Sequence, residues 1–186
     1  MMIPKYSIPV FVCMCLQLPL IAQKKALFLI AGQSNAVGHG NKDSSCTLPE
    51  GIAWEYKYSN NKLVALTDPV GEDTLSFQKA ASGSIAPAFA RQLYDQHGTQ
   101  SIIVSAARGG ASCSNKAELE NYGTWDTSGH LPLFNNAVLK VKGAMQQTGL
   151  PLKGIIWLQD DERCISCLQQ NRRFRSHGMD DRCHSL

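Results

Sequence analysis

Three short apolar runs divide the chain, and each ends in glycine or a polar residue. They cover residues 26–31, 101–106 and 154–159. A continuous apolar run of this length, bounded by turn residues, is typical of a strand that is buried on both faces of a parallel sheet. The sequence therefore predicts three central strands.

Two segments between these runs have the 3.6-residue period of amphipathic helices. The first is residues 84–97, where Ser84 is a candidate cap, Pro87 suits the first turn and Gly98 can end the helix. Its predicted apolar face is Phe89, Ala90, Leu93 and Tyr94. The second is residues 133–148, which end at Gly149. Its predicted stripe is Phe134, Val138, Val141 and Met145. Alternating strands and helices predict an α/β fold with a doubly wound parallel sheet.

Polar loops separate these elements. Residues 41–83 are rich in Asn, Asp, Ser and Gly, and two apolar pieces at 52–54 and 63–66 favour two short strands there. Residues 111–130 form a second polar stretch, which carries Trp125 and His130. Long loops above a rigid sheet often carry binding residues, so we expect ligand specificity to lie in these two segments, with Trp125 either lining the ligand site or packing within its loop.

Composition sets the class of the protein. The chain has 186 residues, of which 44% are hydrophobic and 18% charged, with a net charge of +3. This is enough for one globular domain. No basic cluster lies upstream of residue 163, which argues against a nucleic-acid partner.

The first 22 residues have the pattern of a secretory signal. Lys5 provides the positive charge, a mostly apolar stretch follows, and cleavage is predicted after Ala22. The apolar stretch is too short and interrupted to predict a stable membrane span. We therefore expect a secreted or periplasmic protein; a buried first element is the alternative. In such a compartment Cys46 and Cys113 could pair, although their spacing does not decide it.

The chemistry is expected where the three strands end. Carboxyl ends of parallel strands share one edge of the sheet, which is where ligands bind in open α/β folds. Ser34 follows the first strand and is a candidate nucleophile. Its own N–H, the N–H of Gly109 and the Gln159 amide are candidate oxyanion donors. Each has a simpler alternative: a polar turn residue for Ser34, a plain turn for Gly109, and an amide that satisfies the backbone for Gln159.

Three blocks at these strand ends resemble those of SGNH-type hydrolases, in the branch of sialate O-acetylesterase-like carbohydrate esterases. The blocks are Gly32-Gln33-Ser34-Asn35, Gly109-Gly110 and Ile155-Ile156-Trp157-Leu158-Gln159. The resemblance implies a flavodoxin-like α/β/α fold and removal of acetyl groups from an acetylated carbohydrate, without metal or other cofactor. It also implies Ser34 as the nucleophile, with Gly109 and Gln159 as oxyanion donors.

The resemblance stops after Gln159. The family continues with Gly-Glu, whereas Asp160 and Asp161 follow here. The family also has a late Asp-x-x-His that supplies the general base. The one such pattern, Asp181 to His184, follows Gln159 too closely for another helix and strand, so we interpret it as chance. His39 and His130 are expected to be loop residues.

Residues 160–186 differ in character from the domain predicted for residues 23–159. All five of the tail's basic residues are arginines, whereas lysine predominates upstream. Back-translation of residues 161–171 with freely chosen codons, read one base later, gives Met-Asn-Asp-Ala-Tyr-Leu-Ala-Tyr-Asn-Lys, which has the pattern of a helix start. We therefore interpret the tail as aberrant, through a frameshift near residue 160, and the chain as an incomplete, poorly active acetylesterase. A non-catalytic remnant or carbohydrate-binding module is the alternative. A zinc site is a weaker interpretation of the tail, on Cys164, Cys167, His177, Cys183 and His184.

Overall fold

The computed structural model describes residues 24–159, which form a five-stranded sheet with helices on both faces. The strands are β1 (Lys25–Gly32), β2 (Ala53–Lys57), β3 (Lys62–Ala65), β4 (Gln100–Ala107) and β5 (Leu152–Leu158). Their order across the sheet is β3-β2-β4-β1-β5, and all run parallel except β3. The predicted α/β class with a doubly wound sheet is confirmed.

Between residues 24 and 159, three α-helices accompany the sheet: α1 (Ser34–Val37), α2 (Ala86–His97) and α3 (Phe134–Thr148). Gly98 and Gly149 end the two longer helices in the left-handed conformation, as their positions predicted. Ser84 is not the N-cap of α2, because Ile85 takes that position, but the Ser84 hydroxyl accepts a hydrogen bond from the Ala86 N–H at 3.2 Å. None of the helices in this range has the length and hydropathy of a membrane span.

Two apolar cores lie on the two faces of the sheet. Alternate residues of β1 point to opposite faces, so that Leu27 and Leu29 pack beneath α3, whereas Ile30 packs on the side of α2. All eight residues of β4 are buried, because this strand lies in the middle of the sheet with helices above and below it. This double coverage explains why the central strands are continuous apolar runs rather than alternating ones.

The stripe predicted for α3 does not coincide with its buried face. The buried residues of the helix are Ala137, Lys140, Val141 and Ala144. Phe134 is 50% exposed and Met145 36% exposed. They border an apolar groove between α3 and β5, the last strand of the sheet. The stripe is apolar as predicted, but all four of its residues line this open groove.

The excursion between β1 and α2 contains the two predicted strands. β2 and β3 pair as an antiparallel hairpin, with Trp54 opposite Ala65. The chain then returns over the carboxyl edge of the sheet as the segment 66–80, called the edge loop below. Four of its apolar residues are buried: Leu66, Val70, Phe77 and Ala80. The edge loop is therefore packed onto the domain.

Candidate active site

Ser34 lies in a turn that is fixed by the two strands on either side of β1. The carbonyl oxygen of Gly32 accepts a hydrogen bond from the Arg108 N–H at 3.3 Å, just after β4. The Gln33 N–H donates to the carbonyl oxygen of Leu158, in β5, at 2.9 Å. The turn is thus bonded to the ends of β4 and β5, and the three predicted blocks do meet at one edge.

Only glycine fits at position 32. Its φ of +134° is rarely adopted by other residues, and an added Cβ would lie 1.9 Å from the Leu158 carbonyl oxygen. This is the same oxygen that accepts from Gln33. The close approach of β5 to the turn is therefore what requires the glycine that precedes Gln33 and Ser34.

Ser34 itself is half-buried and begins the short helix α1. Ala36 and Val37 are buried and anchor that helix to the domain. Among the residues that the structure describes, none hydrogen-bonds the Ser34 hydroxyl. The serine is held by its backbone, and its side-chain oxygen is not committed to a structural contact there.

The Gly109 N–H, a predicted oxyanion donor, is occupied by a side chain from the edge loop. It donates to Oε1 of Gln78 at 2.7 Å. Gln78 is itself fixed, because its backbone N–H donates to the carbonyl oxygen of Ala107 at 3.0 Å. An amide oxygen therefore lies where the Gly109 N–H would meet a substrate oxygen, and that oxygen has to move before this N–H can stabilise an oxyanion.

Gln159 lies at the end of β5 with its amide partly used. Its Nε2 donates to the carbonyl oxygen of Ala111 at 2.9 Å, and its Oε1 is buried without a hydrogen-bond partner in residues 24–159. The nearby Trp125 ring stacks on Phe77, with centroids 6.1 Å apart, and meets the Trp157 ring edge-on at 4.8 Å. Trp125 Nε1 is likewise buried without a partner in that range.

Arg108 joins the two loops that border the site. Its Nη1 donates to the carbonyl oxygen of Ser76, in the edge loop, at 2.6 Å. Its Nε donates to the carbonyl oxygen of Asn121, in the 111–130 loop, at 3.1 Å. One guanidinium therefore satisfies two loop carbonyls and fixes both loops relative to the end of β4.

Beneath the edge loop lies a buried ammonium group from α3. Lys140 is 1% exposed, and its Nζ donates to the carbonyl oxygen of Ser105 at 2.7 Å and lies 3.3 Å from Glu72 Oε1. Burial lowers the pKa of Lys140, and the Glu72 carboxylate partly restores it. For Glu72, burial acts to raise the pKa, but hydrogen bonds from Ser59 and Tyr58 together with Lys140 hold it below its usual value.

A second carboxylate holds the start of the edge loop. Glu55, on β2, accepts from the Gly71 N–H at 2.6 Å and from Lys57 Nζ at 2.7 Å. Burial raises the pKa of Glu55 and outweighs the opposing effect of Lys57. The edge loop, which carries Gln78 to the site, thus rests on two buried or half-buried carboxylates and their lysines.

None of the histidines that the structure describes is hydrogen-bonded to Ser34. His39 is exposed and borders a cleft of about 550 Å³ that begins beside Asn35 and Leu158. His130 is exposed in its loop, where its backbone N–H donates to Glu118 at 2.7 Å. Both are loop residues, as expected from the sequence. Asp181 and His184 lie outside the described residues.

Metal and disulfide chemistry are not built into the described domain. Between residues 24 and 159, no three His, Cys, Asp or Glu side chains converge as a metal site would require. No disulfide joins Cys46 to Cys113 in the part of the chain that the structure describes. The predicted signal at 1–22 and the cysteines of the tail fall outside the described range.

The sequence did not indicate the residues that organise the edge loop. Lys140 lies off the apolar stripe of α3, where a lysine is ordinarily solvated. Gln78, Glu72 and Arg108 have no local pattern that marks them. Their partners are remote in sequence, as with Gln78 and Gly109, which are 31 positions apart.

Comparisons with known proteins agree with the resemblance of the three blocks. A search of curated proteins found no match. Among solved structures, the chain is similar to a protein from Arabidopsis thaliana, with a TM-score of 0.56 and 17% identity over 83% of this chain and 71% of the other. It is also similar to NanS, with a TM-score of 0.51 and 17% identity over 83% of this chain and 63% of that one. These two likenesses support the fold.

The family assignment rests on a separate comparison. A family model described as carbohydrate esterase, sialic acid-specific acetylesterase, matches residues 24–173. The match includes Ser34, Gly109 and Gln159, and it runs past the end of β5 into the segment predicted to be aberrant. It covers well over half of the chain, and the chain belongs to this family of sialic acid-specific acetylesterases.

Proposed function

We propose that the edge of the sheet at Ser34 is the site of a carbohydrate O-acetylesterase. The family supports ester chemistry on an acetylated carbohydrate. The observation that carries the assignment to Ser34 is the pair of backbone hydrogen bonds that join its turn to the ends of β4 and β5. They bring a free hydroxyl next to the two segments from which the oxyanion donors come.

In the proposed reaction, Ser34 Oγ attacks the carbonyl carbon of the acetyl ester. A carbon–oxygen bond forms, the hydroxyl proton leaves to a base, and the carbonyl oxygen becomes an oxyanion. The N–H groups of Ser34 and Gly109 and the Gln159 amide would stabilise that oxygen. The sugar oxygen then leaves with a proton, and water releases acetate from Ser34. No step requires a metal or organic cofactor.

Two features of the described residues make efficient turnover unexpected. No histidine among them is hydrogen-bonded to Ser34, so none is placed to accept its proton in this part of the chain. The Gly109 N–H is also bonded to Gln78 and has to be released first. These features support the finer proposal of a poorly active copy. They also support the second candidate function, a module that binds acetylated sugar without cleaving it.

Hydrolysis of p-nitrophenyl acetate by the chain and by Ser34→Ala tests the catalytic proposal. We expect little or no Ser34-dependent turnover, because residual rates after loss of a catalytic group come from binding and oxyanion donors alone. A large rate that disappears in Ser34→Ala would establish an active esterase and contradict the poorly active copy. Calorimetric titration with O-acetylated sialic acid then separates the alternatives: binding without hydrolysis identifies the binding module, and the absence of both contradicts a retained site.

We further propose that residues 1–22 are a cleaved signal, that the mature protein is exported, and that residues 160–186 follow a frameshift. Mass spectrometry of the exported protein would give the mature N-terminus, which we expect at Gln23. Sequencing the genomic locus tests the tail. An intact frame through Leu186, with no homologous frame downstream, would contradict the frameshift.

A further inference from the structure

Arg108 brings a positive charge to the edge of the site, and none of the carboxylates that the structure describes forms an ion pair with it. The ion pairs of the described side chains are Lys57–Glu55, Arg91–Asp95 and Lys140–Glu72. The guanidinium of Arg108 instead donates to two backbone carbonyl oxygens, those of Ser76 and Asn121. A carbonyl oxygen accepts an N–H group but does not neutralise the charge, which arginine retains at every physiological pH.

The guanidinium also has hydrogen-bond donors to spare. It carries five N–H groups. Nε and Nη2 donate to the carbonyl oxygen of Asn121, and Nη1 donates to that of Ser76. One N–H on each of the two terminal nitrogens therefore has no acceptor within residues 24–159. Two such groups match the two oxygens of a carboxylate, which arginine can bind through a pair of hydrogen bonds.

Arg108 lies beside the groups that the proposed reaction uses. Its backbone N–H donates to the carbonyl oxygen of Gly32 at 3.3 Å, two residues before Ser34, and the next residue in the chain is Gly109. Its side chain is half-buried and lies between the edge loop and the 111–130 loop, because it bonds to one carbonyl in each. A sugar whose acetyl ester is held at Ser34 and Gly109 would therefore lie next to this guanidinium.

The two loops hold the guanidinium in position before a ligand binds. Ser76 is followed by Phe77, which is buried and stacks on Trp125 of the 111–130 loop. Gln78 then fixes the edge loop at the end of β4, through its bond from the Gly109 N–H. An arginine that is already ordered loses little further side-chain entropy on binding, which favours recognition of one particular anionic group.

We propose that Arg108 is a specificity-determining residue that recognises the carboxylate of an acidic sugar. The inference rests on the esterase site proposed at Ser34, and it narrows the ligand from any acetylated carbohydrate to an acetylated sugar acid. Sialic acids, after which the family is named, belong to this class. Each carries one carboxylate, which is ionised at neutral pH. Arg108 binds that carboxylate while the acetyl ester lies at the strand ends.

Calorimetric titration with a charged and a neutral ligand tests the proposal. The full chain carries Ser34→Ala, so that the ligands are not hydrolysed during the measurement. The ligands are O-acetylated N-acetylneuraminic acid and its C1 carboxamide, which has nearly the same shape but no negative charge. We expect the acid to bind at least about tenfold more tightly, because hydrogen bonds to a charged group are stronger than neutral ones. Equal affinities would overturn the role of Arg108 but leave the site at Ser34 standing, whereas binding of neither ligand would contradict the proposed function and this inference with it.

Arg108→Gln, added to the Ser34→Ala chain, separates recognition from a purely structural role. It removes the charge, so that the ratio of the two dissociation constants should fall to about one. Loss of loop support alone would weaken both ligands by the same factor and leave the ratio unchanged, and that result would overturn the proposal. Lys116→Gln is the matched control, because it removes one positive charge from an exposed position in the 111–130 loop. This control should keep the ratio; an equal loss there would indicate diffuse attraction and refute binding by Arg108.

Arg108→Lys is the second variant, and it keeps the test decisive if circular dichroism shows that Arg108→Gln does not fold. Lysine retains the charge but lacks the planar pair of N–H groups. Its ratio of dissociation constants should therefore lie between that of the parent chain and that expected for Arg108→Gln. A ratio as high as that of the parent would contradict paired hydrogen bonds from Arg108. Binding is measured without ester hydrolysis, so slow turnover does not affect the result.

Discussion

Replacing Gly32 by alanine tests the claim that the Ser34 turn is set by the close approach of β5. The added Cβ would lie 1.9 Å from the Leu158 carbonyl oxygen, whereas ordinary contacts of this kind are 3.4–4 Å. The end of β5 or the turn must therefore move by about 1.5 Å to restore normal contact distances. Because the atom of Leu158 that overlaps with the added Cβ is a backbone carbonyl oxygen, no side-chain rotation can relieve the overlap.

The cost has three parts. The unfavourable φ of +134° costs about 1–2 kcal/mol, by analogy with the left-handed conformation. Forcing the extra atom into a packed region costs about 1–3 kcal/mol. Displacing Leu158 also weakens its 2.9 Å hydrogen bond from Gln33, which contributes about 1 kcal/mol. We therefore expect Gly32→Ala to lower the free energy of unfolding by about 3–6 kcal/mol, a large part of a typical domain's stability.

Gly149→Ala is the matched control. Gly149 has a φ of +69°, but an added Cβ would meet no atom within 4 Å. Its replacement should cost only the conformational part, about 1–2 kcal/mol. Urea denaturation followed by circular dichroism measures both variants. If the two lose the same stability to within about 0.5 kcal/mol, the contact with Leu158 does not shape the turn and our reasoning is wrong.

The other predictions concern the supports of the edge loop. Lys140→Met should lower the free energy of unfolding by about 3 kcal/mol, because it leaves the Ser105 carbonyl and Glu72 without their ammonium partner; a loss below about 1 kcal/mol in urea denaturation would contradict this. The pKa of Glu55 is raised above 4.5, so its contribution to stability is present below pH 4.5 and is lost as the pH rises through the folded-state pKa. Glu55→Gln should therefore gain stability relative to the wild type as the pH rises above 4.5, and an unchanged difference across the pH series would count against the raised pKa. Gln78→Ala frees the Gly109 N–H and should increase the Ser34-dependent rate with p-nitrophenyl acetate from a low level; a decrease would show that Gln78 assists the reaction.

The parts of the fold that were predictable are those dictated by local pattern. β1 and β4 are apolar runs because both faces of the sheet are covered there, and Gly98 and Gly149 end helices because they adopt left-handed conformations. β5 is an apolar run as well, but the prediction of a third central strand buried on both faces is wrong for residues 24–159, where β5 is an outer strand and Ile155 and Trp157 are exposed. The position of the edge loop was not predictable. It depends on a contact between Glu72 and Lys140, which are 68 positions apart, and on burial that makes a lysine part of the core. Sequence periodicity does not encode such pairs.

The predicted site was incomplete for a related reason. Strand ends in a parallel sheet necessarily meet, so Ser34, Gly109 and Gln159 could be grouped from their positions alone. Whether an N–H group is available to a substrate depends on whether a loop that is distant in sequence places a hydrogen-bond acceptor against it. Gln78 occupies the Gly109 N–H because the edge loop is fixed on its carboxylates and on Arg108. The family motif identifies donors, but only the three-dimensional structure shows which of them are already engaged.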